Sequence, residues 1–225
     1  MRPLIEATHL SKTFTTAHEP FTLFSDLSLT IRPHQTISCV GRSGEGKTTL
    51  LHILGGIEPA SSGTILIEGR PIHENTNLLR NRFFGFIFQS FHLLDDHDTL
   101  SNVLLPAQIA REPLGKTSPY YKRACYLLER VGLSSRIDTK AKFLSGGEKQ
   151  RVAIARALIM DPHIIFADEP TGNLDSFTAE PVVELLFETI AEENKALLLV
   201  THQQDLAKRC DTRYTLSQGS LIQET

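Results

Sequence analysis

Apolar positions along the chain change their period twice. Leu27, Leu29 and Ile31 alternate with polar neighbours, the two-residue period of a half-buried strand. Thr36-Ile37-Ser38-Cys39-Val40 is a β-branched run that stops at Gly41, and Ile65-Leu66-Ile67 lies between Gly63 and Gly69. Both predict short strands bounded by turns. Residues 1–90 therefore read as strand-rich. From about 90 to 160 the period becomes helical. Ser118-Pro119 offers an N-cap followed by proline at the first helical position. Ala124, Leu127, Leu128 and Val131 then fall at i, i+3, i+4 and i+7, and Gly132 supplies the stop. After 160, short apolar runs at His163–Ala167 and Ala196–Val200 flank a helix marked by Val182, Leu185, Leu186 and Ile190. Tyr214–Leu216 and Ser220–Ile222 around Gln218-Gly219 predict a hairpin.

Strands alternating with helices predict an α/β fold with a mostly parallel central sheet. The central helical stretch is an inserted subdomain, so 1–90 with 160–225 should form an α/β core around an insert at about 91–159. The 225 residues carry 40% apolar and 22% charged side chains, ordinary globular usage that excludes disorder. A net charge of −3 argues against a nucleic-acid binder, which needs a basic excess against phosphates. Basic pairs such as Lys122-Arg123 and Lys208-Arg209 read as solvated surface. The apolar run Ala196–Val200 has five residues, far below the length needed to span a bilayer. The first residues, Met1 to Glu6, do not form a secretory signal. Cys39, Cys125 and Cys210 are widely spaced and odd in number, which fits free thiols in a reducing compartment.

The first chemical motif is Gly41-Arg42-Ser43-Gly44-Glu45-Gly46-Lys47-Thr48, followed by Thr49. It matches G-x-x-x-x-G-K-[ST], follows a predicted strand and opens a helix at about Lys47–Leu54. Glycines let the backbone curl so that successive N–H groups face phosphate oxygens, and the helix start adds its positive end. Lys47 reaches the β- and γ-phosphates, and the Thr48 hydroxyl suits Mg2+. Further on, Ile164-Ile165-Phe166-Ala167-Asp168-Glu169 is an apolar strand ending in two carboxylates. Asp168 would hold Mg2+ and Glu169 would polarise an attacking water.

Leu144-Ser145-Gly146-Gly147-Glu148-Lys149-Gln150-Arg151 resembles the signature of ATP-binding cassette (ABC) ATPases, 23 residues before Asp168. Ser145, Gly146 and Gly147 stand at the start of a helix carrying Val152, Ala155 and Ile159, a second helix terminus suited to an anion. The resemblance covers roughly residues 4–222. It implies a P-loop NTPase fold with an antiparallel N-terminal β-subdomain and a helical signature subdomain. It also implies a head-to-tail homodimer in the ATP-bound state, the signature of one subunit closing over ATP and Mg2+ held by the other. By the same resemblance Gln89 is the glutamine that senses Mg2+ and water. Asp175, in Gly172-Asn173-Leu174-Asp175, lies at the dimer seam, and His202 contacts the γ-phosphate. Phe14 resembles the aromatic that stacks on adenine, with core packing beside Phe21 and Phe24 as its alternative.

Leu79-Arg80-Asn81, the stretch Gly85 to Leu94, Leu100-Ser101-Asn102-Val103 and the stretch Ala167 to Asp175 together resemble the lipoprotein-releasing (LolD) type, which shares much with macrolide-export and cell-division cassettes. That implies integral membrane transporter subunits as partners, no nucleic acid, and a peripheral position on the cytoplasmic face of the inner membrane. The alternatives are a regulatory ATPase of cell-division or macrolide-export type, and a DNA-repair or translation ATPase. Three departures stand out. Arg42 and Glu45 replace small loop residues; both side chains are expected to point outward with little effect, with repulsion of phosphate by Glu45 and a lower affinity as the alternative. Asp95-Asp96-His97-Asp98 is more acidic than the family stretch. Pro181 predicts that its helix starts late, near Glu180, because an interior proline costs about 3 kcal/mol.

Overall fold

The computed structural model describes residues 2–15, 19–72 and 76–224, excepting the side chains of 76–79. Met1 of the N-terminal reading and the Leu79 side chain of the resemblance lie outside the described residues. Contacts divide the chain into two compact units, 1–80 with 196–225, and 81–195.

The first unit begins with β1 (Ile5–Thr15) and β2 (Pro20–Ile31), followed by β3 (Thr36–Val40), α1 (Lys47–Leu54), β4 (Ser62–Ile67) and β5 (Arg70–Pro71). β2, β1, β4 and β5 form an antiparallel sheet in that order. Its strands bury alternate residues, with Phe24, Leu27, Leu29 and Ile31 of β2 inside. α2 (Thr76–Phe83) carries the chain out of this unit. It lies in a stretch whose sequence reads as strand-rich, because Thr76-Asn77-Leu78-Leu79-Arg80-Asn81-Arg82-Phe83 has no sustained apolar stripe.

The second unit holds β6 (Phe84–Ile87), α3 (Thr99–Ile109), α4 (Pro119–Arg130), α5 (Gly146–Leu158), β7 (Ile164–Asp168) and α6 (Ser176–Glu192). β6 and β7 pair in parallel. Each helix start is capped as its sequence requires. Asp98 accepts from the Ser101 amide at 2.7 Å on α3, and Ser118 from the Tyr121 amide at 3.1 Å on α4. Ala124, Leu127, Leu128 and Val131 are buried as the period predicts.

α6 corrects the expected late start. The Asp175 carboxylate accepts from the amides of Phe177 and Thr178, both at 3.1 Å, so the helix begins at Ser176 and Pro181 lies inside it. The proline removes only the bond to the carbonyl of Phe177, a residue 94% exposed, where water can replace it.

The chain returns to the first unit with β8 (Ala196–Thr201), α7 (Gln204–Ala207), β9 (Thr212–Ser217) and β10 (Ser220–Glu224). β3 lies between β8 and β9, parallel to both, and β10 runs antiparallel to β9. Every residue of β8 is buried, as a strand covered on both faces requires. Gln218 and Gly219 take positive φ (49° and 75°), the turn whose twist matches the flanking strands.

Candidate functional site

Parallel register sets which side chains emerge together. In the first unit Val40 pairs with Thr201, so Gly41 and His202 leave neighbouring strands at the same level. In the second unit Ile87 pairs with Ala167, so Gln89 and Glu169 are each two residues past a matched pair. These are carboxyl ends of parallel strands, where α/β folds place ligands.

The phosphate loop opens into α1 at Gly46, whose φ of 97° no ordinary side chain favours. No side chain caps α1, so its first amides face outward as donors for an anion. Gly41 is glycine for a different reason: a Cβ there would stand 2.5 Å from the Leu216 carbonyl oxygen. Lys47 is buried, and its Nζ donates to the carbonyls of Gly41 and Arg42, each at 2.9 Å. Ser43, Gly44 and Thr48 are exposed, and Thr49 is half-buried.

Glu45 corrects the expectation that it points outward. Its Oε2 accepts the Arg42 amide at 2.6 Å. The physical reason is local: the carboxylate lies three residues from a curled backbone donor and within reach of it. Arg42 itself is exposed. Gly41, Arg42, Glu45, His202, Ser217 and Gln218 line one cavity of about 540 Å³, so the structure unites the loop with the histidine. Phe14 sits near the end of β1, 37% exposed, with Lys12 Nζ 4.8 Å from its ring centre. Phe24, by contrast, is in the core. Phe14 is thus partly exposed, opposite Phe21 on the neighbouring strand.

In the second unit Asp168 ends β7 in a buried position. Glu169 follows with φ of 44°, a left-handed conformation that costs a non-glycine residue energy. Gln89 is brought against the 172–175 stretch. Asn173 Nδ2 donates to the Gln89 carbonyl at 2.8 Å, and a Cβ on Gly172 would lie 2.9 Å from Gln89 Nε2. The Asp175 carboxyl is held below its ordinary range, first by the Thr178 hydroxyl that donates to it at 2.7 Å.

Ser145 caps α5 in a reciprocal box. Its Oγ accepts the Glu148 amide at 3.3 Å while Glu148 Oε2 accepts the Ser145 amide at 2.8 Å. Gly146 is half-buried. Gly147 is buried, and a Cβ there would stand 2.3 Å from Thr178 Cγ2, so close packing on α6 demands glycine. Two carboxylates of the acidic stretch have partners in the fold. Asp98 caps α3, and Asp96 pairs with Lys142 at 2.7 Å, three residues before Ser145.

Two arginines escaped the sequence reading. Arg156 of α5 donates to the carbonyls of Phe91 (2.7 Å) and His92 (2.5 Å), fastening the segment after Gln89 to the signature helix. Burial pushes its guanidinium down to about 10. Arg136 Nε donates to Glu148 Oε1 at 3.1 Å. Nothing in the apolar period marks either residue, although Ser145-x-x-Glu148 is legible as a capping box.

In the first unit, left-handed glycines, a helix start without a side-chain cap and the Lys47 ammonium suit the phosphates of a nucleotide. The Thr48 hydroxyl of the first unit and the Asp168 carboxylate of the second are each hard oxygen donors of the kind Mg2+ takes. Among the described residues no three His, Cys, Asp or Glu side chains gather as a metal site.

Known proteins supply the comparison. Residues 24–172 match the profile of the ABC transporter family. The chain is 48% identical over 200 residues to the lipoprotein-releasing system ATP-binding protein LolD of Protochlamydia amoebophila (strain UWE25), covering 88% of each chain. It is 44% identical to LolD 1 of Rhodopirellula baltica (strain DSM 10527 / NCIMB 13988 / SH1), covering 97% of this chain and 96% of that one. The bacterial ABC transporter cassette MJ0796, solved as a dimer, superposes with a TM-score of 0.86 at 33% identity over 98% of both chains. Its dimeric post-hydrolysis state bound to ADP and Pi gives 0.86 at 32% identity, again over 98% of both.

Proposed function

This chain belongs to the ABC transporter family, and from that premise we propose that it is the ATP-hydrolysing subunit of a complex that releases lipoproteins from the inner membrane. It is an ATPase that binds nucleotide on an α/β fold of the P-loop type. The observation that carries the catalytic part is the loop at 41–48, whose left-handed glycines, uncapped helix start and Lys47 suit a triphosphate. Relatives that share 44% and 48% identity support the lipoprotein part.

Chemistry suggests the roles of the phosphate loop and of the carboxylates after β7, and the family resemblance implies those of Gln89, His202, Phe14, Asp175 and the signature. The loop amides of 42–47 and the Lys47 ammonium take the phosphates. Thr48, Asp168 and Gln89 are the residues that would hold Mg2+, and the ion would neutralise phosphate charge. Glu169 accepts the proton of the attacking water, and His202 donates to the γ-phosphate. Phe14 stacks on the adenine. Two copies associate through ATP, with Ser145, Gly146 and Gly147 of the partner copy donating to the same phosphate and Asp175 placed at the seam. The functional insert is the helical stretch at about 91–159. Among the described residues no helix is long and apolar enough to cross a membrane. Docking on integral membrane subunits would hold the protein at the cytoplasmic face.

The test is Glu169→Gln. The variant should bind ATP, run as a dimer on size exclusion with ATP and Mg2+, and hydrolyse at least about a hundredfold more slowly. Turnover at the wild-type rate removes Glu169 from the role of base. Detergent copurification of a membrane subunit that itself retains a lipoprotein tests the cargo, and a partner without cargo overturns it.

A further inference from the structure

Ser145 is held by its own chain in a way that bears on what it can do. Its hydroxyl donates to Glu148 Oε2 at 2.9 Å, the oxygen that also accepts the Ser145 amide at 2.8 Å. Both donors at the start of α5 therefore point at a carboxylate. A negative charge in the first helical turn favours the helix, but it opposes the arrival of a second anion. Glu148 Oε1 receives Arg136 Nε at 3.1 Å. Another cation on the same helix, Arg151, turns instead to the Val131 carbonyl at 3.1 Å.

The box does not need the charge. Glutamine at the third helical position makes the same reciprocal cap. Arg136 has a charge to offset at this helix start only because residue 148 is a carboxylate. The pair also adds little to folding, since the Arg136 side chain is 52% exposed and half-exposed ion pairs contribute little. Glu148 is held below the usual carboxylate range, by the Ser145 amide first and Arg136 after it, so it stays charged at neutral pH.

We propose that Arg136 is a positioning residue for ATP hydrolysis. It offsets the Glu148 carboxylate at the start of α5, so that Ser145 can exchange Glu148 for the γ-phosphate held by a second copy. This rests on the reading of Ser145 as a phosphate contact.

A double-mutant cycle tests it: wild type, Arg136→Ala, Glu148→Gln and the double variant, with kcat and KM for ATP and the melting temperature of each. Arg136→Ala is expected to lower kcat/KM about tenfold, the size of one poorly screened charge near a phosphate. Its melting temperature should stay within about 2 °C of wild type. In the Glu148→Gln background the same substitution should change kcat/KM less than about twofold. Equal losses in both backgrounds, or no loss in the wild-type background, overturn the proposal. Ser145→Arg separates the two levels. If it stops turnover while the cycle shows no coupling, only the role of Arg136 falls. If it turns over at the wild-type rate, the phosphate reading of Ser145 falls and takes the proposal with it.

Discussion

The Glu45 carboxylate accepts the backbone N–H of Arg42 at 2.6 Å, so the phosphate loop carries an anion of its own chain on one of its donors. An incoming phosphate meets both a claimed amide and a like charge. Glu45→Ser frees the amide and removes the charge. It is expected to tighten ATP binding about three- to tenfold, read by titration with a fluorescent nucleotide. Glu45→Gln should tighten it less, because the amide oxygen can still accept. Weaker binding in both variants would show that Glu45 supports the loop rather than competing with phosphate.

Gly147 has no room for a methyl group against Thr178 Cγ2. Gly147→Ala should therefore lose about 1–3 kcal/mol in urea denaturation, the usual cost of overpacking. Thr178→Ser deletes the clashing methyl and keeps the hydroxyl that donates to Asp175 at 2.7 Å. Adding it to Gly147→Ala should restore most of the loss. Failure of that rescue would place the cost in the helix start itself.

Gln150 is fully buried, and neither end of its amide has a hydrogen-bond partner among the described residues. An unsatisfied buried amide costs about 1–3 kcal/mol. Gln150→Met keeps the shape and removes the polar atoms, so the melting temperature should rise by roughly 2–4 °C. A fall on differential scanning fluorimetry would mean that the amide is solvated in solution.

Asp161 accepts from Lys195 at 2.6 Å and from Arg123 at 3.2 Å. The Lys195 hydrogen bond leads the causes that hold its carboxyl below the ordinary range. A depressed folded pKa stabilises the fold fully above the unfolded value of about 4, and the contribution is lost as pH falls through the lower folded value. Asp161→Asn tolerates the same left-handed backbone, φ 54° in the native chain. Its melting temperature should start lower at pH 7 and fall less than wild type between pH 5 and pH 3. Parallel curves for the two proteins would exclude Asp161 as a source of acid sensitivity.

Short-range order was legible without coordinates. The start of α1 at Lys47 and the cap and stop of α4 at Ser118 and Gly132 are set by residues within one turn of each other. So is the hairpin at Gln218-Gly219. Burial along β2 and β8 follows from side-chain alternation and from apolar runs. The residue types of the phosphate loop and the signature are equally local.

Tertiary packing decided the rest, because it joins residues that no period links. Pro181 deprives the Phe177 carbonyl of its helical partner, and the exposure of Phe177 lets water take that place. Glycine at 147 answers Thr178, 31 positions away. Arg136 meets Glu148 and Arg156 meets Phe91 because helices bring them there, and a charged side chain leaves no trace in a hydrophobic pattern. Periodicity records which face of an element is apolar, whereas the partner of each polar group depends on where the neighbouring elements come to rest.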